Sequence, residues 1–475
     1  VVVLWLRRDL RLHDHPALNA AAQRAGERGG TLAIVFVFDR ALLCGRHTSA
    51  TRTAFLLEVL AELRAALRER GQQLIVRHGE PARELAALVG AAADPEVHAT
   101  ADVGPFAKRR EREVAAALAE RGGRLVLHPG AFCVDRPEAV SGSVAFTPFF
   151  RIWQAAPRRR PLPAPHPLPP PPAETAPGEL PTLADLLPPL AGNEAPRRPR
   201  GGERAAWERL ERFLRTSVGC YHERRNDLAA DATSRLSPYL HFGCISARAV
   251  EERLPAGAGP AAFRRQLAWR DFYAALMALR PELARCELQA AYRTIAWADD
   301  PDAYAAWRDG RTGYPLVDAA MRQLAEEGWV HNRARLVAGS FLTKHLGIDW
   351  RLGERWYMRS LVDGDEASNN GNWQWIASVG SDPAPPARRI LNPTLQAERF
   401  DTEGRYIRRY VPELASVPDR WLREPWRMPR GVQEATGCVI GRDYPAPIVD
   451  HRSARLRALE RYRAARAAAQ GHDRR

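Results

Sequence analysis

The sequence predicts an α/β domain followed by an all-α domain, and three observations carry that expectation. Through residues 1 to about 130, short β-branched runs alternate with Ala/Leu/Glu/Arg stretches of helical period, the pattern of βα units around a buried parallel sheet. A proline-dense segment follows, including Pro169-Pro170-Pro171-Pro172, which can form neither helix nor central strand. From about Gly201 onward nearly every segment has the apolar spacing of an amphipathic helix, broken by Gly and Pro.

Strands are predicted at Val1–Leu6, Thr31–Phe38, Gln73–Val76, Val97–Thr100 and Arg124–Leu127, which makes a five-stranded sheet. Between them, helices fall at Arg52–Arg70, Pro81–Val89 and Pro105–Arg121, with apolar residues three and four apart. The glycines here do not form G-x-G-x-x-G after a strand, so the ordinary dinucleotide fingerprint is missing. The proline-dense run from Arg158 to Arg200 is expected to wrap over the surface as an interdomain connector. Helices are then predicted at Arg204–Thr216, Pro260–Leu279, Tyr314–Glu326, Arg333–His345 and Trp350–Leu361, with a basic terminal helix at Asp450–Arg466. The expected division is residues 1–130 as the α/β domain, 131–200 as connector and 201–475 as the helical domain.

Composition narrows the class. A chain of 475 residues accommodates two or three domains, each able to bury its own core. With 45% hydrophobic and 27% charged residues it is not a disordered chain, and no apolar run approaches the ~20 residues of a membrane span. Lys plus Arg total 70 against 56 for Asp plus Glu, a formal +14, and only Lys108 and Lys344 are lysines. Guanidinium groups grip phosphate oxygens bidentately, so this excess fits a nucleic-acid partner. It equally fits a composition rich in Ala, Arg, Gly and Pro throughout. The six cysteines lie far apart without a C-x-x-C pair, which predicts no metal centre and reduced thiols in a cytosol. The opening Val1–Leu6 run is too short for a signal-peptide core and precedes Arg7 and Arg8 in the wrong order, so no targeting segment is expected.

Chemistry concentrates in three segments. Asp363-Gly364-Asp365-Glu366-Ala367-Ser368-Asn369-Asn370-Gly371-Asn372-Trp373-Gln374-Trp375 places Asn369 and Trp373 on one helical face, while Trp373 and Trp375 cannot share one. Trp329-Val330-His331-Asn332-Arg333-Ala334-Arg335 puts Asn332 and Arg335 on a common face with Arg333 turned away, and a buried Arg335 needs a carboxylate such as Asp363. Gln266-Leu267-Ala268-Trp269 sets Gln266 and Trp269 together. Taken singly these residues fit ordinary packing. Together, polar residues alternating with aromatic ones in a helical core point to a planar aromatic cofactor beside a base-stacking pocket.

The whole chain resembles the photolyase/cryptochrome family, in particular class I-like cyclobutane pyrimidine dimer photolyases. The resemblance rests on Trp5-Leu6-Arg7-Arg8-Asp9-Leu10-Arg11-Leu12-His13-Asp14-His15, on Thr233-Ser234-Arg235-Leu236-Ser237-Pro238-Tyr239-Leu240, on Thr312–Arg322 and on Asp363–Trp375. It implies a Rossmann-like antenna-binding sheet domain and a helical FAD-binding catalytic domain. Thr233, Ser234, Arg235, Leu236 and Ser237, with Tyr221 beside them, would then hold the FAD phosphates. Arg335, Asp363 and Asp365 would surround the ring, with Phe263, Trp329 and Asn332 lining the site and Asn369 facing N5. Signalling relatives resemble the same pattern with aspartate at that last place, so Asn369 favours repair. Phe263 stands where many relatives carry tryptophan.

By the same resemblance Trp373, Trp350 and Trp297 form an electron-supply chain, while Trp307 and Trp356 are expected to be packing residues. A flipped dimer would stack on Trp269 and Trp375 and be read by Gln266 and Asn332, and Arg225, Arg333, Arg389 and Arg399 would contact phosphates of UV-damaged DNA. Asn332 and Arg333 replace the histidine pair of (6-4) photolyases, which implies cyclobutane dimers as substrate. Two departures are Gln266, where many relatives have Glu, and Leu336, where many have Met. Ala107 and Lys108 replace the Asn-Glu pair of folate-binding relatives, which favours an 8-hydroxy-5-deazaflavin-type antenna over methenyltetrahydrofolate, contacted by Arg52, Asp102 and Lys108. A cytoplasmic monomer is expected, and the alternative activity is a cryptochrome-like photoreceptor without repair.

Overall fold

The computed structural model describes residues 2–90, 92, 94–140 and 142–472. Five strands, β1 (Val2–Leu6), β2 (Leu32–Asp39), β3 (Leu74–Gly79), β4 (Glu96–Thr100) and β5 (Arg124–His128), form one parallel sheet of order β3-β2-β1-β4-β5. Val1, expected to open the first strand, lies outside the described residues. The central strands β1, β2 and β4 are buried along their whole length, which is why they read as unbroken apolar runs rather than alternating ones.

Helices α1 (Pro16–Glu27), α2 (Ala50–Arg68), α3 (Pro81–Val89) and α4 (Pro105–Ala119) cover the sheet. Helix α1 was not among the predicted elements. Proline at its first turn and the His15 ring, which accepts from Leu18 N at 3.2 Å, fix its start. The strand order reverses between β1 and β4, so the crevice at the carboxyl ends of those two strands is the topological switch point, where ligands of doubly wound sheets sit. Arg8 and Asp102 follow β1 and β4 directly and stand at that crevice.

The proline-dense segment lies along one rim of the sheet. The carbonyls of Pro170 and Pro177 accept from Leu32 N at 3.0 Å and Val76 N at 2.7 Å, and Gln72 Nε2 donates to Pro169 O at 2.7 Å. Against the expectation of no helix between Arg158 and Arg200, two short helical turns form, Leu183–Leu186, closed by a reciprocal Thr182–Asp185 capping box, and Pro188–Leu190. Ahead of the prolines, α5 (Phe146–Ala155) packs Phe146, Phe149 and Trp153 into the core.

The remaining helices include α6 (Glu203–Thr216), α7 (Ala258–Leu279), α8 (Pro315–Glu327), α9 (Asn332–Ser340), α10 (Trp350–Ser360), α11 (Glu366–Ile376) and α12 (His451–His472). The single helix expected over Arg333–His345 is instead α9 followed by a π-helical turn, Phe341–Leu346, ending at Gly347 with φ of +71°. The widened turn takes Lys344 inward, where its ammonium donates to Ala377 O at 2.8 Å and Ser378 Oγ at 3.1 Å. Asp271 on α7 fixes the chain ahead of α5, accepting from Cys133 N at 3.1 Å, Val134 N at 3.2 Å and Trp153 Nε1 at 2.9 Å. Sheet and helical region share one apolar cluster, in which Phe55 of α2 stacks on Phe242 at 5.1 Å.

Candidate functional site

Helices α7, α9, α10 and α11 and the loop at residues 233–237 converge on one site. In that loop Arg235 adopts φ of +50° and Leu236 returns to the right-handed region, the alternation that turns successive N–H groups toward one concavity suited to an anion. Arg209 holds the loop by its carbonyls, donating to Ser234 O at 2.7 Å and Thr233 O at 3.0 Å. The Arg235 side chain pairs with Glu327 at 3.0 Å and lies 4.4 Å over the Trp329 ring, whose indole N–H donates to Ser237 Oγ at 3.2 Å. Tyr221 and Phe263 are buried beside Phe213, with ring centroids 4.8–5.8 Å apart.

The ion pair inferred from spacing forms: Arg335 Nη2 donates to both Asp363 oxygens at 2.8 and 3.1 Å, and its Nε donates to Val330 O at 2.8 Å. Asn369 is held from behind. Its Nδ2 donates to Glu354 O at 3.0 Å and to Glu354 Oε1 at 3.2 Å. A backbone carbonyl only accepts, so the amide orientation is fixed, and both amide protons are used. What Asn369 offers a ligand is therefore its Oδ1, an acceptor. Burial pushes the Glu354 carboxyl up to about 7.

Asp365 is engaged on two sides. It caps α11, accepting from Ser368 N at 2.8 Å, and its second oxygen accepts from Arg8 Nη1 at 2.6 Å. The same guanidinium forks onto Asp102 at 2.9 and 3.1 Å, so one arginine ties the switch-point crevice to the helix carrying Asn369 and Trp373. Burial alone would raise both carboxyls, but Arg8 outweighs it, holding Asp102 at about 2 and Asp365 lower still.

The three antenna residues are engaged within the chain. Arg52 donates to Met358 O at 2.6 Å and Leu361 O at 3.2 Å, bracing the end of α10. Asp102 is taken by Arg8, and Lys108 pairs with Glu111 at 3.2 Å on the half-exposed side of α4. The Lys108 pair adjoins Asp102, whose N–H donates to Glu111 Oε1 at 3.1 Å.

Trp373 and Trp375 part as the helical spacing requires: Trp373 is buried and Trp375 half-buried. The Trp373 indole fits against α10 because residue 353 is glycine; a Cβ there would stand 2.2 Å from the ring. One turn earlier on α10, Trp350 is buried and donates to Glu287 Oε1 at 3.2 Å. Trp297 is half-buried and joins the segment before Trp350 through Ala298 N, which donates to Gly347 O at 2.8 Å. Trp307, expected as packing, is fully buried in ring contact with Trp373 at 6.2 Å.

Trp269 and Trp375 are both half-buried, and each has a rigid backing. Phe146 of α5 stacks on Trp269 at 3.6 Å and 4°, and the Arg389 guanidinium lies 3.7 Å over Trp375. Arg389 also forks onto buried Asp382. Its charge is thus matched within the chain and its plane supports an indole. Gln266 is half-buried and Asn332 exposed. Arg333 donates to Asn226 Oδ1 at 3.0 Å and covers Phe400 at 4.4 Å, with exposed Arg399 over the same ring at 5.1 Å. Burial and then the neighbouring charges of Arg399, Arg225 and Arg389 lower the Arg333 pKa, so the four expected arginines do share one electrostatic neighbourhood.

Glu354, Arg8 and Phe146 carry the site yet were not singled out from sequence. Each acts across 15 to more than 350 positions of chain, and no local pattern marks them.

Comparisons with known proteins agree with this geometry. Residues 2–172 match the family described as DNA photolyase, and residues 263–464 match the FAD binding domain of DNA photolyase. A deoxyribodipyrimidine photo-lyase from Streptomyces griseus is 42% identical over 468 residues, covering 96% of this chain and 98% of that protein. The crystal structure of a bacterial class III photolyase from Agrobacterium tumefaciens superposes with a TM-score of 0.89 at 34% identity, covering 98% of both chains. An archaeal photolyase from Sulfolobus tokodaii, solved with two FAD molecules and discussed as having a novel light-harvesting cofactor, gives 0.85 at 30% identity over 98% of this chain and 99% of that one. With two matches spanning both regions and a relative similar from end to end, the chain belongs to the DNA photolyase family.

Proposed function

We infer that this chain is a deoxyribodipyrimidine photo-lyase, a light-driven DNA-repair enzyme that uses FAD to split cyclobutane pyrimidine dimers. The observation that carries it is Asn369, whose amide is locked by Glu354 so that its oxygen is left as the acceptor for a ligand. The donor set fits the cofactor: the turn at Thr233, Ser234, Arg235, Leu236 and Ser237 suits a pyrophosphate, Tyr221 and Phe263 offer apolar faces, and the Asn369 oxygen suits the N–H of a reduced ring. Reduced FAD, when bound and excited, supplies the electron that cleaves the dimer and takes it back.

The chain positions and shields. Arg335 presents a fixed positive charge that favours an anionic reduced ring, and Asp363 keeps that guanidinium oriented. Trp269 and Trp375, stiffened by Phe146 and Arg389, make the two walls for a flipped dimer, with Gln266 and Asn332 at its base edges. Gln266 hydrogen-bonds without carrying charge. Arg225, Arg333, Arg389 and Arg399 hold phosphates and set position rather than sequence. Trp373, Trp350 and Trp297 relay electrons inward from the surface. Residues 1–130 serve the antenna, 131–200 connect and 201–475 hold FAD.

For the second chromophore we retain a deazaflavin-type antenna at the switch-point crevice, where Asp102 and Arg8 stand and Arg52 lies alongside. A cytoplasmic monomer completes the proposal, and no helix among the described residues is long and apolar enough to cross a membrane. The test is anaerobic illumination of the reduced holoprotein with dimer-containing oligothymidylate, following recovery of thymine absorbance against a dark control. Light-dependent recovery is expected; its absence while FAD and lesion DNA are both bound would overturn the repair assignment in favour of a photoreceptor.

A further inference from the structure

We propose that Trp307 and Tyr304 form a second electron-entry branch to Trp373, starting at a surface phenol. The branch rests on the assignment of Trp373 as the aromatic side chain next to the flavin. The Trp307 ring centroid lies 6.2 Å from Trp373 at 74°, and Tyr304 stacks on Trp307 at 6.0 Å and 25°. Trp373 and Trp307 are buried, and Tyr304 is half-buried. Three rings in succession thus run from the site to solvent. Electron tunnelling falls exponentially with the gap, so rings in contact exchange electrons ahead of rings separated by packing.

Tyr357 is nearer, 5.0 Å from Trp373 and 6.2 Å from Trp307, yet it does not start the path. Its hydroxyl is buried without a hydrogen-bond partner among the described residues. Oxidising a phenol is favourable only when its proton departs as well, and Tyr357 has nowhere to send one. The Tyr304 hydroxyl donates to Leu352 O at 3.3 Å at the exposed end of the stack, where water accepts the proton.

The steps balance. An electron passes from Trp307 to oxidised Trp373, restoring it. A second passes from Tyr304 to oxidised Trp307 while the phenolic proton leaves to water, giving a neutral tyrosyl radical. An external thiol returns one electron and one proton to Tyr304 and becomes a thiyl radical. Local charge does not force the electron through Trp350 instead. Trp350 has the Glu287 carboxylate at its N–H, but the Arg351 guanidinium, paired with Glu287, lies 4.9 Å from its ring. The Trp307 N–H meets only the neutral carbonyl of Ala338 at 3.0 Å.

The experiment uses the oxidised, FAD-loaded full chain under illumination, with electron paramagnetic resonance of the trapped radical and flavin photoreduction recorded with and without dithiothreitol. Trp350→Phe is expected to keep part of the photoreduction and to show a tyrosyl signal that changes when the protein is made with ring-deuterated tyrosine. Trp350→Phe/Tyr304→Phe should lose both, with flavin content and circular dichroism unchanged; Trp350→Phe/Trp307→Phe should lose the tyrosyl signal. A tyrosyl signal absent from Trp350→Phe, or persisting after Tyr304→Phe, overturns the branch while leaving the Trp373–Trp350–Trp297 chain intact. Photoreduction surviving in Trp373→Phe overturns the shared entry point and the branch with it.

Discussion

Replacing Glu354 by glutamine isolates the group that orients Asn369. Glu354 is 9% exposed, and burial pushes its carboxyl from 4.5 up to about 7 against the downward pull of the Asn369 amide and Arg46. At about 1.4 kcal/mol per unit, the ionised form costs the folded protein about 3 kcal/mol. The folded state holds this proton more tightly than the unfolded chain does. Stability is therefore full below the unfolded value near 4.5 and is lost as pH rises through about 7. Exclusion of water by a bound cofactor, and the negative charge of its reduced form, push the carboxyl in the same direction. Glutamine keeps an oxygen for Asn369 Nδ2 but cannot ionise. Urea unfolding of the holoprotein, followed by flavin release and far-ultraviolet circular dichroism, is the assay. Between about pH 5 and about pH 8 the variant should gain up to about 3 kcal/mol on the unaltered chain. Asp271, raised by burial to about 6, has the same slope but is common to both proteins and cancels. Parallel pH profiles, within about 0.5 kcal/mol, would refute the argument.

Four further outcomes are expected. Asp363→Asn strips the partner from Arg335, whose pairing oxygens are nearly inaccessible; at about 3 kcal/mol, FAD affinity by equilibrium dialysis should fall roughly a hundredfold, and a change below about threefold would count against the pair as a cofactor clamp. Trp373→Phe should block photoreduction yet spare repair by chemically reduced enzyme, and loss of both would make the residue structural. Arg333→Gln should weaken lesion binding across sequences and reduce the salt slope of log Kd by about 1, measured by fluorescence anisotropy. Gln266→Glu, which restores a charge beside the lesion pocket, should raise the quantum yield of repair with little change in DNA affinity; an unchanged yield would remove Gln266 from the chemistry.

The fold class, the five strands and nine of the twelve helices numbered above were legible in sequence, because parallel strands buried on both faces and helices with one apolar stripe must advertise their periods. The same holds for local geometry within a helix: the parting of Trp373 from Trp375 follows from 3.6 residues per turn, and an inward Arg335 requires a carboxylate. Helix α1 was overlooked although Pro16 marks its start and Ala17, Leu18, Ala21, Ala22 and Ala25 its buried face, and the π-helical turn escaped because the carbonyl that receives Lys344 lies at the end of another helix. Tertiary structure alone decided which carboxylate serves which task. Asp363 and Asp365 are two residues apart and alike in sequence, yet one grips Arg335 and the other meets Arg8 from the sheet domain. It also laid Arg389 over Trp375 and set Glu354 behind Asn369. Periodicity records which way a side chain faces; the partner it meets depends on which distant segments share the space, and that is fixed only when the core closes.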